Sequence, residues 1–358
     1  MSQNLRLRSA LSDTPAYVPG RPAAPVAGVT AHKLSSNENH LPPMPGVIEA
    51  IAKAAGNPAL YPDPGAHRLT TALAAHLGVE PHQLIFGAGA SETLAAIIHI
   101  TSGEGTNVVY PWPSFEMYPQ LISLSGAQKR PVELTGSAEH DFAAMAAAID
   151  DQTSLVLLCS PNNPTGPAIA QDAFDDFMYR VPSDVIVVLD QAYLEFVTAE
   201  SAVDGLDALE RYPNLVLIRT FSKAHGLAGL RVGFAVASPT IIHEMRKAIA
   251  PFSVTDMAQA AAEESLARVA DVEVRAKGIA AARDELAARL RELGFDIPDA
   301  QGNFVWVPAG ARSADFEAAC REAGLSVRNL GSGVRVSIGP DEAMDRIVDV
   351  ARRFGAQE

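Results

Sequence analysis

The chain has 358 residues and a formal net charge of −14, with 48% hydrophobic and 20% charged residues. This is the composition of an ordinary globular protein, and its acidic balance argues against binding to nucleic acid or to an anionic membrane surface. The 2 cysteines cannot form a disulfide framework and fit a reducing compartment. Residues 1–12 lack the apolar region of a signal peptide, and no apolar run reaches the roughly 20 residues of a membrane span. The sequence therefore predicts a cytoplasmic protein.

Three regions of the chain differ in composition. Residues 1–33 are rich in proline, alanine and glycine, which predicts an extended arm that is either disordered or packed on another part of the protein or on a second subunit. Residues 34–254 alternate between short apolar runs and helical patterns, so we expect a large α/β domain. Residues 255–358 predict a smaller α+β domain, with the N-terminal segment packed against it.

The large region is expected to form a mostly parallel sheet with helices on both faces, because its strands are short, apolar and separated by helices. Its predicted strands are 84–86, 107–110, 155–159, 185–189 and 215–218, and its first predicted helices are 47–55, 69–77 and 93–100. The C-terminal region predicts helices at 256–293, 314–323 and 341–353, and strands at 303–307, 325–328 and 334–338.

The stretch 220–234 contains a single lysine among small residues, directly after an apolar strand. Glycines allow the backbone to approach a bulky ligand closely, and a desolvated lysine becomes a nucleophilic amine. We therefore expect Lys223 to form a Schiff base with a carbonyl cofactor, while Ser222 and Arg231 hold an anionic group of it. Taken alone, the pattern also fits an ordinary solvated lysine, so the rest of the chain must decide.

Polar residues follow the other predicted strands, at the edge where doubly wound sheets bind their ligands. Asn163 follows one strand, Asp190 and Tyr193 follow the next, and the glycine-rich turn 87–91 leads into a helix. Separately, these are an ordinary turn, a helix cap and a core tyrosine. Together with Lys223 they supply an amine, a carboxylate, a phenol, an amide and an anion site. A pyridine aldehyde cofactor that carries a phosphate requires this combination.

These motifs resemble those of the fold-type I pyridoxal-phosphate aminotransferases, specifically the histidinol-phosphate aminotransferase group, and within it the actinobacterial aromatic amino acid aminotransferases. The matching segments keep the family's order and cover nearly the whole chain after the arm. They are Lys-Leu-Ser-Ser-Asn-Glu-Asn (33–39), Tyr-Pro-Asp (61–63), Pro-Asn-Asn-Pro-Thr-Gly (161–166), Arg-Thr-Phe-Ser-Lys (219–223), Gly-Leu-Ala-Gly-Leu-Arg-Val-Gly (226–233) and Val-Arg-Val-Ser-Ile-Gly (334–339). The resemblance implies an α/β fold like that of aspartate aminotransferase.

The same resemblance implies a pyridoxal 5'-phosphate cofactor, amino-acid and 2-oxo-acid substrates, and a homodimer with shared active sites. Lys223 is expected to form the internal aldimine and then to shuttle a proton, in a ping-pong reaction. Asp190 is expected to keep the pyridinium nitrogen protonated, and Tyr193 to bond the phenolate oxygen of the ring. The other implied cofactor contacts are Asn163, Ser222, Arg231, Ala90, Ser91, Phe115 and, from the neighbouring subunit, Tyr61. No metal site is implied.

The substrate side depends on Arg335, which matches the arginine that grips the α-carboxylate in the family. A planar guanidinium can form two parallel charge-assisted hydrogen bonds with a carboxylate, which lysine cannot. Further candidates near the substrate are Asn163, Asn37 and Asn39.

The choice of donor rests on the residues around the expected mouth of the site. Met44, Trp112 and Trp306 favour an aromatic donor (phenylalanine, tyrosine or tryptophan), with 2-oxoglutarate as the acceptor. The alternative donor is histidinol phosphate, whose phosphate would need additional basic groups. Those that the sequence offers are Arg21, Arg328 and Lys33.

Three single residues depart from the family's usual pattern, and the turn Gly89-Ala90-Ser91-Glu92 replaces the family's Gly-Ser-Asp-Glu while keeping its backbone amides. Gln191 replaces a glutamate, with little effect expected. His40 and His225 either shape the substrate mouth or, as we favour, are surface residues. DNA-binding regulators with this fold are a different functional class, and the short arm and acidic charge disfavour them. Decarboxylases and β-lyases share the cofactor contacts, whereas Arg335 and the resemblance over the whole chain favour transamination.

Overall fold

The structure is a computed structural model that describes residues 8–11, 14 and 16–355. Its α-helices are α1 (Val47–Ala54), α2 (His67–Leu77), α3 (Ala90–Thr101), α4 (Met117–Ser125), α5 (Phe142–Ala147), α6 (Gln171–Met178), α7 (Gly205–Arg211), α8 (Pro239–Met245), α9 (Asp256–Leu266), α10 (Val269–Glu292), α11 (Ser313–Glu322) and α12 (Asp341–Gly355). Its strands are β1 (His32–Lys33), β2 (Leu84–Gly87), β3 (Asn107–Trp112), β4 (Gln128–Glu133), β5 (Thr153–Cys159), β6 (Ile186–Asp190), β7 (Leu215–Thr220), β8 (Gly233–Ala237), β9 (Phe304–Val307), β10 (Leu325–Ser326), β11 (Arg328–Asn329) and β12 (Val334–Ser337).

A seven-stranded sheet with the order β2-β8-β7-β6-β5-β3-β4 forms the centre of the molecule. The pairs β3–β4, β3–β5, β5–β6 and β6–β7 are parallel, while β8 is antiparallel to both of its neighbours. Because β8 is antiparallel to β7 and to β2, β2 runs the same way as β7. The carboxyl ends of β2, β3, β5, β6 and β7 therefore meet at one edge of the sheet.

Both faces of the sheet are buried at its central strands β5 to β8, which explains why these strands are apolar without alternation, whereas the edge strand β4 is polar and largely exposed. In β5, Leu155 and Leu157 face one core cluster, which contains side chains of α3, α4 and α8. Val156 and Leu158 face the second cluster, which continues into the helices and strands after residue 254. The predicted α/β class, with a mostly parallel sheet between helices, is confirmed.

The C-terminal part contains a separate antiparallel sheet with the order β11-β12-β9. Next to it, β1 pairs in parallel with β10, so residues 32–33 lie alongside residues 325–326. This pairing joins the segment before residue 34 to the C-terminal region. The domain boundaries at 33/34 and 254/255 stay predictions, and the part of the predicted arm at residues 1–7, 12–13 and 15 lies outside the described residues.

Two predicted elements are wrong in detail. The helix expected over 256–293 is two helices, because the chain leaves helical geometry at Arg268, whose ψ is 29°. The strand expected over 325–328 is split between two sheets, since β10 pairs with β1 and β11 pairs with β12. Neither break coincides with a glycine or proline. Among the described residues, no helix is long and apolar enough to cross a membrane.

Candidate active site

A cavity of about 250 Å³ lies at the carboxyl edge of the seven-stranded sheet. The strands position it directly, because Asp190 ends β6, Thr220 ends β7 and the loop after β2 leads into α3. Nine of the residues predicted from the sequence line this cavity. They are Ala90, Ser91, Phe115, Asn163, Asp190, Tyr193, Ser222, Lys223 and Arg231.

The Lys223 amine is held at the cavity by two main-chain carbonyls. Its Nζ donates to the carbonyl oxygens of Ser36 at 3.1 Å and Asn37 at 3.2 Å. Burial lowers the pKa of Lys223 to about 7, and the positive charge of Arg335 adds to that effect. A large share of the amine is therefore neutral near neutral pH, which is the nucleophilic form.

Asp190 is a buried carboxylate with two fixed hydrogen bonds. Its Oδ2 accepts from the hydroxyl of Tyr118 at 3.0 Å, and its Oδ1 accepts from the amide of Ala192 at 3.1 Å. Burial raises the pKa of Asp190 to about 6, although both hydrogen bonds and the charge of Lys223 act in the opposite direction. A carboxylate in this state would gain stability from a cationic partner, such as a protonated ring nitrogen.

Tyr193 lies beside Lys223, with the lysine Nζ 5.5 Å from the centre of its ring. Its hydroxyl accepts a hydrogen bond from Asn37 Nδ2 at 2.9 Å, and burial raises the pKa of Tyr193 to about 12. Asn37 has a left-handed backbone with φ of 53°, and its Oδ1 accepts from the Ser337 hydroxyl at 2.8 Å. The phenol is therefore protonated, and its orientation depends on the segment before α1.

Helix α3 begins at one end of the cavity without a side-chain cap, directly after Gly89. The first amides of a helix have no partner within it, so those of Ala90 and Ser91 can bind an anion. Gly89 has φ of 81°, and a Cβ at this position would collide with the guanidinium of Arg231. Ser222 adds a hydroxyl, whose oxygen accepts from Thr220 Oγ1 at 3.0 Å. Amides, a hydroxyl and a guanidinium together form a site suited to a phosphate.

Arg335 lies on β12, opposite the sheet edge, and is buried. Its Nη1 donates to Asn163 Oδ1 and its Nη2 donates to the Ser35 carbonyl at 2.7 Å. Its Nε is buried and has no hydrogen-bond partner among the described residues. Burial lowers the pKa of Arg335 from its ordinary value. A buried guanidinium with an unused donor is suited to a carboxylate ligand.

Tyr61 and Asn39, also predicted for the site, do not line this cavity, and neither do Arg335 and Asn37. Tyr61 is 80% exposed, and its ring stacks on Phe252 with 4.6 Å between the ring centres. The side chain of Asn39 forms two hydrogen bonds with main-chain groups: it donates to the Ala224 carbonyl and accepts from the Leu41 amide, both at 3.0 Å. The predicted contact of Tyr61 with a neighbouring subunit and that of Asn39 with substrate stay predictions.

The three departures from the family pattern have different outcomes. Gln191 Oε1 accepts from buried Arg219 through Nε at 3.1 Å and Nη2 at 2.8 Å, so it anchors that guanidinium. The interpretation of His225 as a surface residue is wrong, because its ring is buried and its Nδ1 lies 2.8 Å from Ser265 Oγ. Burial lowers the pKa of His225 to about 4, so it is neutral at physiological pH. His40 is exposed, as expected.

Sequence reasoning missed Tyr118, the hydrogen-bond donor to Asp190. The only signal for Tyr118 in the sequence is its position three residues after the predicted site residue Phe115. The two rings lie edge to face, with 5.5 Å between their centres. It also missed Ser337, which orients Asn37 from 300 positions away. Among the described residues, there is no group of three or more His, Cys, Asp or Glu side chains that could hold a metal ion.

Comparison with known proteins identifies the family of this chain. The family model described as Aminotransferase class I and II matches residues 30–350. The chain belongs to the class I and II aminotransferases. Among its relatives, the aromatic amino acid aminotransferase of Streptomyces avermitilis is 45% identical over 350 residues, which is 98% of this chain and 97% of the relative. A protein of the same name from Rhodococcus opacus is 43% identical, covering 97% of this chain and 95% of that relative.

A solved structure also resembles this aminotransferase over its whole length. Histidinol-phosphate aminotransferase from Sinorhizobium meliloti, in complex with pyridoxal-5'-phosphate, aligns with a TM-score of 0.87 and 26% identity, and the alignment covers 99% of each chain. The fold and the aminotransferase activity expected from the sequence are therefore confirmed.

Proposed function

We propose that this aminotransferase uses pyridoxal 5'-phosphate to move the amino group of an aromatic amino acid to 2-oxoglutarate. Relatives named aromatic amino acid aminotransferase at 45% and 43% identity support the donor. The complex of the Sinorhizobium meliloti enzyme with pyridoxal-5'-phosphate supports the cofactor. Histidinol phosphate, the donor named for that structure, is the alternative substrate.

The cavity at the sheet edge fits pyridoxal phosphate group by group. The Ala90 and Ser91 amides, Ser222 and Arg231 would hold its phosphate, since these donors surround the start of α3. The remaining contacts would be Asp190 at the ring nitrogen, Tyr193 and Asn163 at the ring hydroxyl, and Phe115 at the ring face. When bound, the cofactor supplies a carbonyl carbon for the amine and a ring that accepts electrons from the Cα–H bond.

Lys223 would carry out the proton transfer. Its Nζ is oriented by the carbonyls of Ser36 and Asn37, and its pKa of about 7 allows it to accept and to release a proton near neutral pH. Asp190 would pair with the ring nitrogen, with Tyr118 and Ala192 fixing its two oxygens. A protonated ring nitrogen next to Asp190 would hold this carboxylate in its charged form.

Arg335 would orient the substrate through its α-carboxylate. The guanidinium is buried and anchored to Asn163 and Ser35, while its Nε still lacks a partner among the described residues. A carboxylate placed here would complete the hydrogen bonding of Arg335 and bring the substrate amine toward Lys223.

The observation that carries the aromatic donor is a cavity of about 1000 Å³ that is lined by both strand partners of Arg335, Arg328 and Trp306. Trp306, the strand neighbour of Arg335, lines it together with Trp112 and Tyr17. Aromatic walls favour a phenyl or indole ring over a phosphate ester. Of the cations considered for a phosphate, Lys33 pairs with Glu38 and Arg328 pairs with Glu116, so both already have a counter-charge.

A homodimer is the second part of the proposal. Leu60 and Tyr61 are exposed by 67% and 80%, and Tyr61 stacks on Phe252, which is itself 39% exposed. Apolar side chains grouped on a surface are typical of interfaces with another protein. Tyr61 would reach the phosphate site of the second subunit, so that each active site contains residues from both chains.

Donor kinetics test the proposed function. With 2-oxoglutarate as acceptor, kcat/KM for phenylalanine, tyrosine and tryptophan is compared with that for histidinol phosphate. We expect the best aromatic donor to exceed histidinol phosphate by roughly tenfold or more, because Tyr17, Trp112 and Trp306 offer the cavity aromatic contacts. A higher kcat/KM for histidinol phosphate would reverse the assignment.

A further inference from the structure

The strand that carries Arg335 places a second cation beside it. In the antiparallel sheet, Arg328 of β11 is the direct partner of Arg335, and Trp306 of β9 is its partner on the other side. Direct partners project from the same face with Cβ atoms about 5 Å apart. Arg328, Arg335 and Trp306 therefore form one row across the face that borders the large cavity, and we refer to them as the cross-strand row.

Glu116 forms an ion pair with Arg328, the outer cation of this row. Its Oε2 accepts from Arg328 Nε at 3.1 Å, and its Oε1 accepts from Arg328 Nη2, so the ion pair is bidentate. The side chains are only 12% exposed for Arg328 and 26% exposed for Glu116. Arg328 Nη2 also donates to the Val18 carbonyl at 2.8 Å. Arg328, the second cation of the row, is thus already paired with a carboxylate.

Glu116 comes from a different part of the fold, the residue directly before α4, and is not needed to cap that helix. It lines the same cavity as Trp112 and Trp306. A ligand with one carboxylate and an aromatic ring can bind Arg335 and the tryptophan side chains of the cavity while the ion pair stays intact. A ligand with a second anion meets the negative charge of Glu116 and must displace it from Arg328.

We propose that Glu116 is a specificity-determining residue, because it blocks Arg328 as a second anion subsite and so disfavours substrates that carry two acidic groups. The proposal rests on the proposed function, in which Arg335 binds the α-carboxylate. A dicarboxylic acceptor would bind Arg328 through its second carboxylate, after that carboxylate displaces Glu116 from the ion pair. The free energy needed for this displacement then limits the affinity for such ligands.

The test measures binding of two unreactive acids to the holoenzyme by isothermal titration calorimetry. Glutarate carries two carboxylates, and 3-phenylpropanoate carries one carboxylate and a ring. In Glu116→Gln, which keeps the size of the side chain, we expect the affinity for glutarate to rise about tenfold. The affinity for 3-phenylpropanoate is expected to stay within about twofold, since this ligand does not need Arg328.

Three further variants isolate the role of the ion pair between Glu116 and Arg328. Arg328→Gln should weaken glutarate binding, and the double variant Glu116→Gln/Arg328→Gln should lose the gain of the single change. Glu133→Gln removes an exposed carboxylate from the same cavity and should leave both affinities unchanged.

The proposal is overturned if Glu116→Gln leaves glutarate affinity unchanged, raises both affinities equally, or keeps its gain without Arg328. Failure of the proposed function appears in a separate measurement, the donor kinetics of the unchanged enzyme. An enzyme that does not accept phenylalanine contradicts the aromatic donor, whatever the affinity for glutarate.

Discussion

The active site has two walls that are built in different ways: a cofactor wall that contains Asp190 and Lys223, and a substrate wall that contains Arg335. On the cofactor wall, Asp190 ends β6 and Lys223 follows β7, and the parallel register pairs Asp190 with Ile218. The positions of both groups therefore follow from one sheet. On the substrate wall, Arg335 belongs to a separate sheet, and its hydrogen bonds reach Asn163 and Ser35, which are 172 and 300 positions away.

The electrostatics of the two walls differ in the same way. On the cofactor wall, burial lowers the pKa of Lys223 to about 7 and raises that of Asp190 to about 6, so both pKa values lie near neutral pH. On the substrate wall, Arg335 remains a cation, and Arg328 is balanced by Glu116. The central sheet therefore positions the groups that react, Lys223 and Asp190, and the second sheet positions the groups that select the substrate, Arg335 and Arg328.

Replacing Lys223 is expected to have the largest effect on catalysis at the cofactor wall. We expect Lys223→Ala to lower kcat about 10⁴-fold for every donor alike, because the group that moves the proton is gone. The same variant should lose the visible absorption of lysine-bound pyridoxal phosphate. Lys247→Ala, which removes an exposed lysine paired with Glu244, is the control and should keep both properties. Retention of the lysine-bound absorption in Lys223→Ala would contradict the central assignment.

Replacing Arg335 tests whether the substrate wall is separable from the chemistry. Arg335→Lys keeps the charge but loses the planar fork, so kcat/KM for amino acids should fall about 100-fold. Cofactor affinity, measured by fluorescence titration of the cofactor-free protein, should change less than about twofold. Arg352→Lys, at an exposed pair with Asp349, serves as the control. An equal loss of cofactor affinity would show that Arg335 supports both walls.

The cofactor wall can be predicted from the sequence much more fully than the substrate wall. Lys223, Asp190 and Asn163 each follow an apolar strand, and parallel strands bring such residues to one edge. The pairs that complete the site have no local pattern, because Tyr118 and Asp190 are 72 positions apart and Glu116 and Arg328 are 212 apart. The prediction for His225 is wrong for the same reason, since its partner Ser265 lies on α9, 40 positions further along.

The pH dependence of stability tests the burial of the cofactor wall. Because the pKa of Lys223 falls from 10.5 to about 7 on folding, the unfolded chain binds more protons between these values. Stability should therefore rise with pH across this window, by up to about 1.4 kcal/mol per pH unit from this group. Below pH 7 both states are protonated, and the contribution no longer changes.

The measurement is denaturant unfolding of the cofactor-free protein and of Lys223→Met between pH 7.5 and 9.5. The variant lacks the buried amine, so its free energy of unfolding should exceed that of the unchanged protein most at pH 7.5, and the gap should narrow as pH rises. A gap that is constant over this range would mean that Lys223 is solvated in the folded state.

The smallest expected effect concerns Tyr61, which belongs to neither wall of its own chain. If Tyr61 reaches the phosphate site of the second subunit, Tyr61→Phe should weaken cofactor binding only about tenfold, through one lost hydrogen bond to a charged group. A heterodimer of Tyr61→Phe and Lys223→Ala separates this arrangement from a contact within one chain. Its site with an intact Lys223 would then receive Tyr61 from the other chain and bind cofactor with unchanged affinity. If Tyr61 instead served its own chain, that site would keep the tenfold defect, and the cofactor wall would be complete within a single subunit.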